Sequence, residues 1–182
     1  QKICVTRAWQ NAGLRISSGD LIEGHGTSTP VGDAAELQAL GEIFQELNLP
    51  VGSVALGSVK SNVGHLKSAA GAASIVKAAF ALRDRVLPPS LNFDRPNPNY
   101  DFSKSPFYVN TELRPWDVNP GQARRAAVSA FGFGGTNFHV VLEEYIPGRI
   151  ADESKTVVSV PESVPAAGQT ADLKTPLRGA LV

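Results

Sequence analysis

The chain contains no methionine and a single cysteine, and neither sign of charge is in excess: 17 Lys and Arg stand against 17 Asp and Glu. With no basic surplus, no electrostatic argument favours nucleic acid or an anionic membrane as a partner. One cysteine, Cys4, excludes an internal disulfide framework and suits a reducing, cytoplasmic compartment. The three histidines and this cysteine, none at C-x-x-C or H-x-x-x-H spacing, provide no metal site. No apolar run approaches about 18 residues, so no membrane-spanning helix is expected. The opening QKICVTRAWQ lacks the hydrophobic stretch of a signal peptide. Without an initiator methionine the chain is expected to be a fragment, although a processed chain would look the same.

Against these absences stand 42% hydrophobic residues and 17 glycines, a balance that fits an α/β protein with tight backbone turns. One domain with a substantial core is the default at 182 residues. Chemistry is concentrated in residues 57–70, GSVKSNVGHLKSAA, which follow a short buried run, Val54-Ala55-Leu56. The pattern predicts a strand, a polar turn and a helix running to about Leu82, with Lys60, Asn62 and His65 in the transition. Backbone N–H groups and the positive end of a helix dipole converge at such a transition. That field disfavours an imidazolium, and a neutral imidazole with a free N–H can donate to an oxygen acquiring negative charge. A capped helix start with a surface lysine and a solvated histidine accounts for the same residues.

Residues 2–11 have helical spacing, stopped by Gly13, and place Cys4 inside a helix as a small core residue rather than a nucleophile. Residues 17–20 turn the chain into a short strand, Leu21-Ile22-Glu23, which runs into Gly24-His25-Gly26-Thr27-Ser28-Thr29-Pro30. Glycines on both sides of His25 allow a ligand close to the backbone and suggest an imidazole aimed at a crevice. Thr27 and Thr29 put two hydroxyls on one side of an extended loop, or serve as ordinary caps. Beyond Gly32-Asp33 a helix over 34–47 is expected, with Leu37, Leu40, Phe44 and Leu47 as its apolar stripe.

The run Ala69-Ala70-Gly71-Ala72-Ala73 predicts a helix closely approached by another backbone and buried at the centre of the molecule. Residues 83–85 close that helix ahead of Pro88-Pro89. Residues 91–100 read as a loop and 107–110 as a strand. Two further strands, 126–130 and 138–143, are joined by Phe131-Gly132-Phe133-Gly134-Gly135-Thr136-Asn137 in a tight hairpin. This loop is no dinucleotide fingerprint, because a strand follows it and Asn137 fills the sixth position of G-x-G-x-x-G. His139 keeps the strand alternation and reads as structural. From residue 146 onwards Pro, Ser, Thr, Ala and Val dominate with no helix-length stripe, so 146–182 read as a linker or extended tail.

Four segments in this order, EGHGTSTPVGDAAE, GSVKSNVGHLKSAAGAASIVKA, LPPSLNFDRPNP and SAFGFGGTNFHVVLEE, together resemble the C-terminal half of a β-ketoacyl synthase. They are most similar to the ketosynthase domains of modular polyketide synthases and polyunsaturated fatty acid synthases. The resemblance covers roughly residues 2–145. Residues 1–145 are accordingly expected to be the C-terminal half of the domain, and 146–182 a linker towards the next one. Residues 175–182 resemble the linker leading towards an acyltransferase domain.

The resemblance implies a thiolase-like layered α/β/α fold, two similar halves in five layers. It implies decarboxylative Claisen condensation of an acyl thioester with a malonyl-type extender on acyl carrier protein, in polyketide or fatty acid biosynthesis. His25 and His65 match the two active-site histidines, which bind the malonyl thioester and stabilise the enolate. Lys60 matches the family's lysine, and Glu36 its carboxylate partner in an ordering network. Thr27 and Thr29, with Gly134 and Gly135, match the groups that hold the phosphopantetheine arm. Phe133 matches the gate residue of the glycine-rich loop, whose backbone N–H completes an oxyanion hole. That arm is a substrate carried on acyl carrier protein, and no tightly bound cofactor is implied. The implied partners are acyl carrier protein, the N-terminal half of the domain, and a second ketosynthase or chain-length factor in a dimer.

One departure is large. The family's nucleophile is a cysteine in an alanine-cysteine-serine type motif of the N-terminal half, and this chain has no such motif. Without a thiolate no acyl-enzyme forms, so the chain by itself is expected to be inactive. A non-catalytic chain-length or decarboxylation subunit is the alternative, though such subunits often lose a histidine and both His25 and His65 are present. Thiolase itself carries a second reactive cysteine near its glycine-rich loop, where this chain has Phe131 and Phe133.

Overall fold

A computed structural model describes residues 1–17 and 19–149. Gln1–Ile146 form one compact unit. A second unit, Pro147–Val182, and with it the expected tail, falls almost wholly outside the described residues.

Helix α1 (Lys2–Ala12) ends on Gly13 in the left-handed conformation, φ 64, as its sequence position predicts. Strand β1 (Leu21–Glu23) is followed by α2 (Pro30–Phe44) and a 3-10 turn over Gln45–Leu47. The start of α2 at Pro30, rather than near Ala34, follows from proline at the first helical position: its φ is preset and its missing N–H would have no partner there.

Strand β2 (Val54–Gly57) leads into a single-turn helix, α3 (Lys60–Val63), and not into one long helix to Leu82. Gly64 takes φ 74 and ψ −175, a conformation nearly confined to glycine, and the helix breaks there. A 3-10 turn over Lys67–Ala69 restarts it as α4 (Ala70–Asp84). His65 therefore sits in the break.

Five more strands follow: β3 (Val86–Leu87), β4 (Phe107–Val109), β5 (Arg114–Pro115), β6 (Arg125–Phe131) and β7 (Asn137–Glu143). The main sheet has the order β4-β2-β1-β6-β7, while β3 and β5 make a small antiparallel pair. All neighbours in the main sheet are parallel except β7, which returns antiparallel from β6 as the hairpin pattern predicts.

Alternate residues of β1 serve opposite faces of the sheet. Ile22 joins Val5, Trp9, Leu37 and Phe44 beneath α1 and α2, and Leu21 joins Ala78, Leu82 and Trp116 beneath α4. Helices on both faces explain why β1 and β2 are buried throughout. His139 is buried on the α1 face with Nδ1 3.0 Å from the Ser129 hydroxyl, in keeping with its structural reading.

Small residues of α4 (Ala70, Ser74, Ala78, Ala81) lie against the sheet, and a Cβ at Gly71 would come within 3.1 Å of the Ala130 methyl. Its opposite side, with Ile75, Val76 and Phe80, is exposed. Within this chain, then, α4 is a covering helix and not the central one that its composition led us to expect. No helix among the described residues is long and apolar enough to cross a membrane.

Candidate active site

Three loops leave the same edge of the sheet, because β1, β2 and β6 run parallel and Glu23 is in register with both Gly57 and Val128. One loop carries His25, one carries Lys60 and His65, and one is the glycine-rich turn after Phe131. The carboxyl edge of a parallel sheet is where α/β folds gather ligand-binding loops.

The His25 loop is clamped from α2. Glu36, buried, accepts the backbone N–H of His25 at 2.8 Å on one oxygen and that of Gly26 at 3.0 Å on the other. Asp33, one turn earlier on the same helix face, accepts the N–H of Thr27 at 3.1 Å. Both oxygens of Glu36 are therefore engaged by backbone, and from there its charge acts on Lys60. Burial pushes the Glu36 carboxyl up, against the two N–H donors that favour its anion. Gly26 has φ 41, and a Cβ there would lie 2.9 Å from that of Ser58, so only glycine lets the two loops approach.

Lys60 Nζ lies 3.4 Å from His25 Nδ1. An ammonium can only donate, so Nδ1 accepts and the neutral ring keeps its proton on Nε2. His65 arrives at the same tautomer differently, its Nδ1 accepting the Lys67 backbone N–H at 3.0 Å. The two rings stand edge to face with centroids 5.5 Å apart. Burial, then the charges of Lys60 and His65, push His25 down to about 4. Desolvation lowers His65 as well, with Lys60 and Lys67 adding to it. A 3-10 turn separates His65 from the start of α4, so the sequence expectation of a histidine directly at a long helix's N-terminus is not met. Lys60 is itself held below its usual range by burial, against the pull of Glu36, Glu23 and Asp33.

The Thr27 and Thr29 hydroxyls are 3.2 Å apart, as an outward-facing pair requires. Thr29 also holds the N-cap position of α2, without a side-chain cap bond. In the glycine-rich turn, Gly134 and Gly135 adopt φ 75 and 85, and the Gly132 N–H closes the loop onto the Thr136 carbonyl at 2.7 Å. Phe133 is fully exposed, and it is the ring of Phe131 that approaches His25, at 6.0 Å between centroids. The sequence pattern places Phe131 in the glycine-rich loop and not among the candidate site residues; the structure makes it the last residue of β6.

Two serines flanking Lys60 were also missed. The Ser58 hydroxyl donates to the Gly26 carbonyl at 3.1 Å, while that of Ser61 donates to the Ser58 carbonyl at 2.7 Å and accepts the Leu91 N–H at 3.1 Å. Their S-x-x-S spacing around the lysine was the available signal. Asn62, in the same stretch, is exposed. Cys4 is half-buried in α1 with its thiol donating to the Asn137 carbonyl at 3.2 Å, and burial raises its pKa. A cavity of about 720 Å³ lies behind the His25 loop, walled by Leu37, Leu40, Leu56 and Phe93, and neither His25 nor His65 lines it.

Comparison with known proteins matches residues 1–94 to the family described as "Beta-ketoacyl synthase, C-terminal domain" and residues 96–175 to "Ketoacyl-synthetase C-terminal extension". The polyketide synthase PksL of Bacillus subtilis is 46% identical over 144 residues, which is 79% of this chain and 3% of that protein. A polyunsaturated fatty acid synthase polypeptide of a Thraustochytrium species is 45% identical over 152 residues, 81% of this chain and 5% of that protein. Among solved structures, a ketosynthase from module 6 of the bacillaene synthase of Bacillus subtilis superposes with a TM-score of 0.72 at 46% identity, covering 76% of this chain and 25% of that one. The oxazolomycin ketosynthase domain OzmH KS7 of Streptomyces albus gives 0.73 at 40% identity, over 80% and 25%. The chain thus spans a few per cent of these synthases and about a quarter of the solved ketosynthases. Its fold is accordingly thiolase-like, the parallel sheet with helices on both faces being one portion of that architecture. The chain belongs to the β-ketoacyl synthase family and covers the C-terminal portion of the ketosynthase domain.

Proposed function

We propose that this chain supplies the two-histidine, one-lysine part of a site that joins an acyl group to a malonyl-type extender by decarboxylative Claisen condensation, in polyketide or fatty acid synthesis. The observation that carries this reading is the pair of neutral imidazoles, 5.5 Å apart, each with its proton on Nε2. Loss of CO2 from the extender breaks a carbon–carbon bond, and its electron pair forms an enolate with negative charge on the thioester oxygen. Two N–H donors on fixed neutral rings stabilise that charge without being consumed. The enolate carbon then attacks the acyl thioester carbonyl, and the cysteine thiolate leaves as the new carbon–carbon bond forms.

That thiolate is assigned to the N-terminal half, since Cys4 is a helical thiol with its proton engaged. Lys60 fixes the tautomer of His25, and Glu36 orders the loop from which His25 projects. Thr27, Thr29, Gly134 and Gly135 hold the amides of the phosphopantetheine arm, brought in as substrate on acyl carrier protein. Phe133 gates entry, and its backbone N–H contributes to the oxyanion hole of the acyl step. Residues 1–145 form the catalytic portion and 146–182 a linker, a division supported by the compact unit that ends at Ile146.

The test separates the two half-reactions in a complete ketosynthase domain, this chain joined to its cysteine-bearing half. Acyl loading needs the thiolate and the Phe133 loop, whereas decarboxylation needs donors at the enolate oxygen. His65→Ala is expected to slow CO2 release from malonyl carrier protein by roughly a few hundredfold, typical of one lost oxyanion donor, and to leave acyl loading nearly intact. Equal losses in both steps, or unchanged CO2 release, overturn the assignment.

A further inference from the structure

Beneath the two histidines lies a buried ion pair that the mechanism above does not use. Glu23, the last residue of β1, is 0% exposed. Its carboxylate meets the ammonium of Lys77 at 3.1 Å through one oxygen and 3.4 Å through the other. It also lies against Gly57, the strand end from which the chain turns towards Lys60. Lys77 belongs to the middle of α4, the helix that begins after His65. The pair thus joins the strand that ends two residues before His25, the turn that presents Lys60, and the helix whose approach segment holds His65.

Room for it has been made in the sheet. Gly57 is in register with Glu23, and a Cβ at that position would stand 2.9 Å from the Glu23 carboxylate and 3.5 Å from Lys77 Nζ. A glycine inside a parallel strand costs strand propensity, so its presence fits a site that must accommodate two charged groups. Stability gives no reason to keep the pair. An apolar pair of similar volume in such a place is often as stable or more so, whereas removing one partner leaves an uncompensated buried charge. Glu23 also attracts the Lys60 ammonium from below while Glu36 and Asp33 attract it from α2, and His25 faces it from the loop.

We propose that Glu23 and Lys77 are positioning residues of the decarboxylation site, holding the Lys60 turn and the α4 approach segment so that both imidazoles keep their Nε2–H tautomers and their mutual angle. This rests on the function proposed above, and the experiment keeps the two apart. Only three histidines occur in the chain, so ¹⁵N spectra of the imidazoles resolve each tautomer. The decisive variant is the neutral double substitution Glu23→Gln, Lys77→Met, compared with Lys77→Arg, which keeps the charge.

In the wild-type chain His25 is expected to show the Nε2–H signature. In the double variant, folded with a melting temperature near wild type, His25 is expected to lose that signature while buried His139 keeps its own. In the complete domain the same variant is expected to lose CO2 release on the order of 10- to 100-fold, the scale of a misplacement of about an ångström. Lys77→Arg is expected to stay near wild type in both readouts. A double variant with wild-type spectra and wild-type CO2 release overturns the proposal, and so does one that fails to fold, since the pair then serves folding alone. If the wild-type complete domain releases no CO2, the functional reading fails while the imidazole spectra still decide the positioning role.

Discussion

His25 and His139 are both held near 4, well below a free imidazole, the first mainly by burial with Lys60 and His65 adding to it and the second by burial alone. Their effect on stability has a definite sign. Between about pH 6.5 and pH 4 each of these imidazoles binds a proton in the unfolded chain that it refuses in the folded one, so the contribution of these two residues is full above that window and declines as pH falls through it. Asp20, which burial pushes up to about 7, contributes with the opposite sign over the same range, so the histidine effect is read as a difference between variants. From about pH 7 to about pH 5 the urea midpoint of His139→Gln is expected to fall less, or rise more, than that of the wild type. A His139→Gln profile that parallels the wild type over this range contradicts the burial argument. That His25, Lys60 and His65 are candidates for one site was legible because glycines and a strand end surround them, and the structure brings the three together. Their tautomers were not legible. These depend on Lys60 reaching back across 35 positions to His25, and on a backbone N–H of Lys67 that only the broken helix presents to His65.

At the scale of elements, the periodic segments were legible and the break was not. The stripe of α2, the Gly13 cap of α1 and the β6–β7 hairpin follow from local rules that act over a few residues. Residues 57–82 read as strand and one helix because nothing in their apolar spacing marks Gly64 as more than a tolerated glycine. Its backbone supplies the mark, φ 74 with ψ −175, and no atom lies within 4 Å of where a Cβ would be. Gly64→Ala therefore meets no clash, and its cost is backbone strain alone. It is expected to destabilise the chain by about 1–3 kcal/mol, measured by urea unfolding, and to disturb the His65 resonance more than that of His139. A variant as stable as wild type would show that α3 and α4 can join without the break. The same limit applies to α4. Small residues announced close packing, but which surface they pack on depends on a sheet assembled from distant strands.

For the molecule as a whole, the prediction is an inactive chain. Its only thiol belongs to α1, donates to Asn137, and is disfavoured as thiolate by burial. Incubated with an acyl carrier substrate and an extender, the chain is expected to gain no acyl adduct by mass spectrometry and to yield no β-ketoacyl product. A Cys4 adduct that turns over would sink this expectation. The sequence by itself determined the class of fold and which residues are candidates for chemistry, since alternating strands and helices, glycines at strand ends and histidines beside them are local patterns with local causes. That the chain holds a single thiol, Cys4, is a matter of composition and was equally legible. Only the tertiary structure decided how these residues act together. Parallel pairing of β1 with β2 and β6 puts three loops on one edge, turns Glu36 onto backbone N–H groups, brings Phe131 to His25, and buries Glu23 against Lys77. Such pairings join segments far apart in the chain, and no periodicity within a segment can record which distant segment will lie beside it.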